Sequence, residues 1–206
     1  MYARSTTVQG SPKRVDQAIA MVRDEVLPAV SQMPGCLGLS MMVDRSAGHG
    51  VVTTSWESEE AMRSTADAVA PMREKAANLI DGTAEVQEWE IAVMHRAHHA
   101  PAGSYVRSTW LRSDPAGVDR ALDVFRMGVL PRVEELQGFC SAILMIDRES
   151  GLAVSSVAFD DLAAIEASRD AAQAIRGGAV KEIGAEVLDV REHELILAHL
   201  HVPEMA

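Results

Sequence analysis

The sequence predicts an α+β fold: two tandem ferredoxin-like (β-α-β-β-α-β) domains packed sheet to sheet as an internal pseudo-dimeric α+β barrel. The first observation is a repeat, because Tyr-Ala-Arg-Ser-Thr at 2–6 returns 103 positions later as Tyr-Val-Arg-Ser-Thr at 105–109. The second is the order of elements, since each copy reads as strand, helix, strand, strand, helix, strand. Two helices cover one face of such a sheet, and the tandem copy is the obvious partner for the other face.

The repeat divides the chain into two domains, 1–96 and 105–206, joined by a linker at 97–104. Each copy has about 100 residues, which is the usual size of one compact domain. The linker is polar and carries Pro101 and Gly103, two residues that are typical of connecting segments.

The first half of each copy is predicted from a helix-start signal and from apolar spacing. A strand at 2–8 precedes Ser11-Pro12, and Asp114-Pro115 takes the same place in copy two, with proline at the first helical position. Apolar residues then recur at helical spacing: Val15, Ile19, Val22, Val26 and Val30, and again Val118, Leu122, Phe125, Val129 and Val133. Pro28 and Pro131 fall inside these stripes, so each helix is expected to bend or break there.

The second half of each copy is predicted as a hairpin, a helix and a final strand. An Asp-Arg-x-x-Gly turn starts at Asp44 and again at Asp147, and its polar start and glycine are typical of tight turns. Acidic residues open the second helices, where the helix dipole favours them. The predicted strands are 37–43, 51–56 and 84–94 in copy one and 140–146, 154–159 and 187–198 in copy two.

Composition limits the class of partner and the compartment. The net charge of −11 argues against a nucleic-acid-binding protein, because phosphates require Lys and Arg. No apolar run reaches the length of a bilayer span and no charged-then-apolar leader opens the chain, so we expect a cytoplasmic protein without membrane contact. The two cysteines, Cys36 and Cys140, are not equivalent in the repeat. Both are expected to be small buried hydrophobes rather than a disulfide or a nucleophile.

Two segments carry a family resemblance. The turn Pro34-Gly35-Cys36 and the segment Trp-Glu-Ser-Glu-Glu-Ala-Met at 56–62 resemble the antibiotic-biosynthesis-monooxygenase-like group of dimeric α+β barrels, and the resemblance covers essentially both copies. It implies a small-molecule pocket between sheet and helices in each half. It also implies cofactor-free oxygenation of a small aromatic or polyketide-like substrate, so no cofactor is expected.

Haem degradation, another activity of this group, is not expected. That branch uses an Asn near the first strand and a Trp and a His on the second helix. In this chain Asn78 is the only asparagine, and Thr65 and Lys75 stand at the equivalents of the helix pair.

Small hydroxylated residues on the central strands are the first candidates for ligand binding. Strands one and three of copy one carry such residues at Ser5, Thr6 and Thr7 and at Thr53, Thr54 and Ser55. Copy two has Ser108 and Thr109 against Ser155 and Ser156. Such strands leave room above the sheet, and buried hydroxyls need partners. We therefore expect a pocket lined by hydroxyls and capped by Trp56 in copy one and Phe159 in copy two. The alternative is a core filled by methionine side chains. Copy one keeps the family-like motif, so Trp56→Ala is expected to weaken ligand binding more than Phe159→Ala.

Arg4 and Arg107 recur in register on the first strands and are candidates for holding a phenolate or carboxylate. The alternative is an ion pair with glutamates of the last strand of the same copy, at positions 88 and 90 or 192 and 194. Opposite charges on adjacent strands stabilise such pairing.

His95 and His199 close the last strands at equivalent positions and are candidate catalytic bases, because histidine is the natural general base near neutral pH. The alternative is a surface role at a strand end. Further histidines in the linker are candidate metal ligands. No carboxylate or cysteine stands at ligand spacing beside them, so no metal site is expected.

The sequence thus favours a cofactor-independent monooxygenase acting on a small molecule. A non-catalytic module that binds or senses a small ligand is the alternative. An assembly protein is a third reading, because free sheet edges pair with further strands. A homodimer is compatible with the sequence.

Overall fold

The computed structural model, which describes residues 1–205, gives each repeat the predicted order of strands and helices. The first repeat consists of strands β1 to β4 and helices α1 to α4: β1 Tyr2–Gln9, α1 Val15–Met21, α2 Leu27–Ser31, β2 Cys36–Asp44, β3 His49–Trp56, α3 Glu59–Ser64, α4 Ala66–Leu79 and β4 Thr83–Arg96. The second consists of β5 Tyr105–Arg112, α5 Val118–Val124, α6 Leu130–Glu134, β6 Phe139–Asp147, β7 Leu152–Phe159, α7 Leu162–Ala167, α8 Arg169–Ile183 and β8 Glu186–Leu200.

The two compact units of the chain exchange the ends of their last strands. Unit 1 comprises Met1–Trp89 and His193–Val202, and unit 2 comprises Glu90–Glu192 with the residues from Pro203 on. Each long last strand, β4 or β8, therefore starts in one unit and ends in the other. The prediction from the repeat divides the chain at 97–104, whereas these units divide it within each last strand, after Trp89 and after Glu192.

Six described strand pairs are antiparallel: β1–β3, β2–β3, β2–β8, β4–β6, β5–β7 and β6–β7. In unit 1 the order is β1-β3-β2-β8, and in unit 2 it is β5-β7-β6-β4, with only the end of β8 or β4 taking part. The other neighbour of β1 is β4, and that of β5 is β8. The predicted α+β, ferredoxin-like fold class is confirmed. Because each described strand has two neighbours, the free edges that an assembly protein would use are absent among them.

The two prolines interrupt the first helix of each repeat, as predicted. Between α1 and α2 the backbone forms one π-helical turn at Val22–Val26, and between α5 and α6 it does so at Phe125–Val129. Pro28 and Pro131 stand two residues after these turns, and since proline has no N–H, it cannot donate the α-helical hydrogen bond at its position. The second helix of each repeat is also divided, at Thr65 and at Ser168, which the sequence did not indicate.

Glycine is required where the chain enters β2 and β6. Gly35 and Gly138 have φ angles of +75° and +76°, and a Cβ there would lie 2.7 Å from the Cβ of Ala61 and 2.6 Å from that of Ala164. The turn thus brings the backbone against the following helix. This explains the glycine of the Pro34-Gly35 motif and its counterpart in the second repeat.

The helices of each unit pack on one face of its sheet. In unit 1 the core contains buried residues of α1, α2 and β2, including Ile19, Val30 and Leu39. In unit 2 Leu122 and Phe125 pack with buried residues of β6. Within the described residues, the helices lack the length and apolar character needed to cross a bilayer.

Candidate functional site

Each unit contains a cleft between its helices and the helix-covered face of its sheet. Cleft 1 lies in unit 1 and has an empty volume of about 840 Å³ including its open mouth. Cleft 2 lies in unit 2 and measures about 1020 Å³ in the same terms. Both lie between sheet and helices, which is where the family resemblance implies a small-molecule pocket.

Both clefts are mainly apolar with a few polar groups. The polar or charged residues of cleft 1 are Arg4, Thr6, His49, Thr54 and Arg73. Those of cleft 2 are Arg107, Thr109, Ser113, Ser155 and Arg176. Apolar walls with a small number of placed polar groups are typical of sites for small organic ligands.

Arg4 lines cleft 1 and also forms an ion pair with a glutamate of the last strand, which was the alternative prediction for this residue. Its Nη2 donates to Glu88 Oε1 at 2.9 Å and to the carbonyl of Met62 at 2.8 Å. Its Nη1 lies 3.4 Å from Thr65 Oγ1, and the side chain is only 4% exposed. The guanidinium is thus held in place by its own unit.

Arg107 repeats this arrangement in cleft 2. Its Nη2 donates to Glu192 Oε1 and to the carbonyl of Ile165, both at 2.7 Å, and its Nη1 donates to Ser168 Oγ at 2.9 Å. Burial raises the pKa of the Glu192 carboxyl, but hydrogen bonds from Arg169 and Arg107 outweigh it, so the net shift is downward. Glu192 is therefore ionised at neutral pH and balances the charge of Arg107.

A second arginine lines each cleft and forms no salt bridge with a described carboxylate. Arg73 on α4 and Arg176 on α8 are equivalent in the repeat and half-buried. No described carboxylate lies within ion-pairing distance of either guanidinium, and Arg73 Nε is buried without a hydrogen-bond acceptor. Burial and the nearby charge of Arg4 lower the pKa of Arg73, and the charges of Glu88 and Glu74 offset this only in part. Burial and Arg107 lower the pKa of Arg176. Each cleft thus presents a cation that an anionic ligand group would stabilise.

The histidine that lines cleft 1 is His49, at the start of β3. Its Nδ1 lies 2.9 Å from Nε2 of His193, and both rings are buried. The hydrogen bond from Ser46 is the main reason why the pKa of the Asp44 carboxyl is lowered, and the charge of His193 is the smallest contribution. Leu152 stands at the repeat equivalent of His49 and lines cleft 2. Cleft 1 therefore has a histidine among its described lining residues, and cleft 2 does not.

Some of the predicted hydroxyl residues line the clefts: Thr6 and Thr54 line cleft 1, and Thr109 and Ser155 line cleft 2. The candidates Ser5, Thr53, Ser55 and Ser108 line neither cleft. Ser5, Thr53 and Ser55 are buried, and Ser5 Oγ accepts from Trp89 Nε1 at 2.8 Å. Ser108 Oγ lies 2.8 Å from Ser156 Oγ. Side chains alternate along a strand, so the cleft of unit 1 receives the neighbouring hydroxyls, those of Thr6 and Thr54.

Of the two predicted aromatic caps, Phe159 lines a cleft and Trp56 does not. Phe159 borders cleft 2 and lies under the guanidinium of Arg107, 5.7 Å from the ring centroid. Trp56 is fully buried and donates from Nε1 to Thr54 Oγ1 at 3.0 Å. The expectation that Trp56→Ala weakens binding more than Phe159→Ala therefore loses its structural basis.

The predicted catalytic histidines lie outside both clefts. His95 is 19% exposed, with Nδ1 at 2.5 Å from Glu204 and Nε2 at 3.2 Å from Glu134. Burial lowers the pKa of His95, but the two glutamates outweigh it and hold the pKa above 6.5. His199 is exposed and packs its ring edgewise on His201, with centroids 4.8 Å apart.

Comparisons with known proteins agree with this fold. The model of the family described as antibiotic biosynthesis monooxygenase matches residues 1–67. Two uncharacterized proteins of Mycobacterium tuberculosis (strain ATCC 25618 / H37Rv) match along the whole chain. Rv2557 is 46% identical over 205 residues and is covered to 92%, and Rv2558 is 48% identical over 206 residues and is covered to 87%.

Among solved structures, an anthrone oxidase-like protein superposes with a TM-score of 0.66 at 14% sequence identity. The superposition covers all of this chain and 95% of that one. At this identity the likeness is one of fold.

Proposed function

Because the chain belongs to the antibiotic biosynthesis monooxygenase family, we propose that it oxygenates a small aromatic substrate without a cofactor. The observation that carries the proposal is the cation in each apolar cleft, Arg73 or Arg176, that forms no salt bridge with a described carboxylate. A flat apolar molecule with an ionisable phenol fits this combination. Its rings would contact the apolar walls, and its oxyanion would accept from the guanidinium.

We assign the role of general base to His49 of cleft 1. The sequence favoured a histidine for this step and proposed His95 and His199, which lie outside the clefts. His49 Nδ1 lies 2.9 Å from Nε2 of His193, and an imidazole takes up a proton near neutral pH. The His193 ring would then stabilise the charge that develops on His49.

Deprotonation prepares the substrate for oxygen. A phenolate or anthrone anion is electron-rich at ring carbon, so it transfers an electron to O₂ directly. The two radicals combine to a peroxide, and loss of water leaves a carbonyl at the former methylene carbon. The enzyme contributes by holding the anion near Arg73 and by accepting the proton, which is general acid–base and electrostatic catalysis.

Cleft 2 favours the alternative function, ligand binding without chemistry. Its lining contains Arg107 and Arg176 but neither histidine nor carboxylate among the described residues. We propose that unit 2 binds the same class of molecule and that unit 1 carries the reaction.

Oxygen uptake with an anthrone as substrate tests the proposal, after subtraction of the spontaneous oxidation. His49→Gln should lower the turnover number roughly 10²–10⁴-fold and leave binding intact. Arg73→Met should weaken binding about 10–100-fold, because a hydrogen bond to a charged group contributes about 1.5–3 kcal/mol. His95→Gln is the matched control and should retain activity. An unchanged rate in His49→Gln would refute the assignment of the base.

Native mass spectrometry beside a denatured control tests binding separately from turnover. The anthrone should add up to two masses to each chain, and Arg73→Met and Arg176→Met should each remove one. The same spectra report whether the chain is a monomer or a homodimer. Failure to detect any adduct, together with absent oxygen uptake, would contradict both functions.

A further inference from the structure

We propose that His98, Cys140 and Asp160 form a binding site for one divalent transition-metal ion of the zinc type in unit 2. Asp160 Oδ1 lies 2.8 Å from His98 Nε2 and 3.3 Å from Cys140 Sγ. All three potential ligand atoms lie within 4.8 Å of one another. This cluster is separate from cleft 2, whose lining contains none of the three residues.

The backbone holds the three side chains in place before any ion binds. The carbonyl of Cys140 accepts from the amides of Ala97 and His98, at 2.9 and 3.3 Å, which fixes the linker against β6. The amide of Asp160 donates to the carbonyl of Gly138 at 2.8 Å. The β6–β7 register shifts between Phe139 and Ser141, and such a bulge re-aims the side chain of the residue it contains, Cys140.

The ligand set selects the kind of ion. Thiolate sulfur, imidazole nitrogen and carboxylate oxygen together are typical ligands of zinc, and one sulfur with one nitrogen disfavours Mg²⁺ and Ca²⁺, which prefer oxygen. Three protein ligands leave a fourth tetrahedral position for water. Cys140 is buried, whereas His98 and Asp160 are 47% and 40% exposed, so the ion would enter from their side.

A nucleophilic cysteine fits the geometry less well. In a catalytic pair the imidazole contacts the thiol and takes its proton. Here Asp160 lies between them, and both the thiol and the imidazole meet the same carboxylate oxygen. Burial and the adjacent Asp160 raise the pKa of Cys140 to about 12, so the free thiol stays protonated at neutral pH. A bound cation would replace that proton and join all three groups.

The repeat argues that this cluster is not part of the common fold. The equivalents in the first repeat are Leu37 for Cys140, Glu57 for Asp160 and, with the one-residue shift of the last strand, Val202 for His98. Leucine and valine cannot bind a metal, so the site is confined to unit 2. Ligand spacing in the sequence could not indicate this cluster, because 62 positions separate the linker residue His98 from Asp160.

Titration of the reduced, metal-free full chain with Co²⁺ tests the site. One equivalent should produce a thiolate-to-cobalt charge-transfer absorption and the intense visible bands of tetrahedral cobalt, and Zn²⁺ should abolish both. Cys140→Ser should lose the charge-transfer absorption, whereas Cys36→Ser, which removes the other free thiol, should retain it. His98→Gln should weaken binding by more than about tenfold. Survival of the absorption in Cys140→Ser, or its absence in the unmodified chain, would overturn the proposal.

A second measurement on the unmodified chain guards against a Cys140→Ser variant that fails to fold. Calorimetry in two buffers of different ionisation enthalpy should show release of the thiol proton on Zn²⁺ binding, and the affinity should rise roughly tenfold per pH unit near neutrality. Binding that releases no proton would place the ion on exposed histidines instead, and the proposal would fail.

Discussion

Gly138→Ala should destabilise the protein far more than an ordinary Gly→Ala change. The residue has a φ of +76°, and a left-handed backbone costs an L-residue about 1–2 kcal/mol. The new Cβ would also lie 2.6 Å from the Cβ of Ala164, where ordinary contact begins at 3.4 Å. Overpacking of this kind costs about 1–3 kcal/mol. The stiffer unfolded chain returns about 0.4–1 kcal/mol.

The expected net loss is about 1–5 kcal/mol in the free energy of unfolding, which corresponds to a fall in Tm of roughly 2–20 °C for a chain of this size. Urea unfolding followed by circular dichroism measures the loss, and a thermal melt measures the fall. If the two units unfold in separate transitions, the transition of unit 2, which contains Gly138, is the one that should shift.

Two companion variants separate the causes. Gly128→Ala is the matched control, since a Cβ there meets nothing within 4 Å, and its stability should change by no more than about 1 kcal/mol. Ala164→Gly added to Gly138→Ala removes the clash and leaves the backbone strain, so it should restore part of the loss despite the helical glycine. If Gly138→Ala unfolds within 0.5 kcal/mol, on the order of an ordinary surface change, of the unmodified chain, the close-approach argument is wrong.

Three further predictions concern protonation and burial. The folded pKa of His95 lies above 6.5, so its contribution to stability is present below pH 6.5 and is lost as the pH rises through the folded pKa. His95→Gln should remove this pH dependence from a plot of Tm against pH. A plot identical to that of the unmodified chain would contradict this prediction. The folded pKa of Glu192 lies below 4.5, so its contribution to stability is present above pH 4.5 and is lost as the pH falls through the folded pKa. Glu192→Gln should make the decrease of Tm at acid pH less steep. A decrease as steep as that of the unmodified chain would count against the pairing with Arg107. Trp56→Ala should lower the free energy of unfolding by about 3–5 kcal/mol in urea and leave ligand binding by unit 2 unchanged, whereas Phe159→Ala should reduce that binding. Equal effects on binding would refute the distinction.

The local elements were predictable because their signals are local. Helical spacing from Val15 to Val30, the Asp44 turn and the proline at position 28 each act within a few residues, and the repeat shows every signal twice. The exchanged strand ends were not predictable. Residues at the end of β8 carry the same alternating pattern whichever strand they pair with, and pairing with β2 joins Leu39 to His199 across 160 positions.

The site was less predictable than the fold for two physical reasons. Strand faces alternate with every residue, so a one-residue choice decides whether Ser5 or Thr6 enters the cleft. The remaining groups meet only through the tertiary structure, since 144 positions separate His49 from His193. Arg73 had a usable signal, because an arginine recurs at its repeat equivalent, Arg176, on a helix that the pattern had already predicted.

The exchange of strand ends gives the two units different folding demands. The main segment of unit 2 is one continuous stretch, from Glu90 to Glu192. Unit 1 combines residues 1–89 with residues 193–202, which lie more than 100 positions later in the chain. Contacts between such distant segments form slowly, because a long loop must close first. The end of β8 is therefore expected to join unit 1 late in folding, and β2 keeps an open edge until it does.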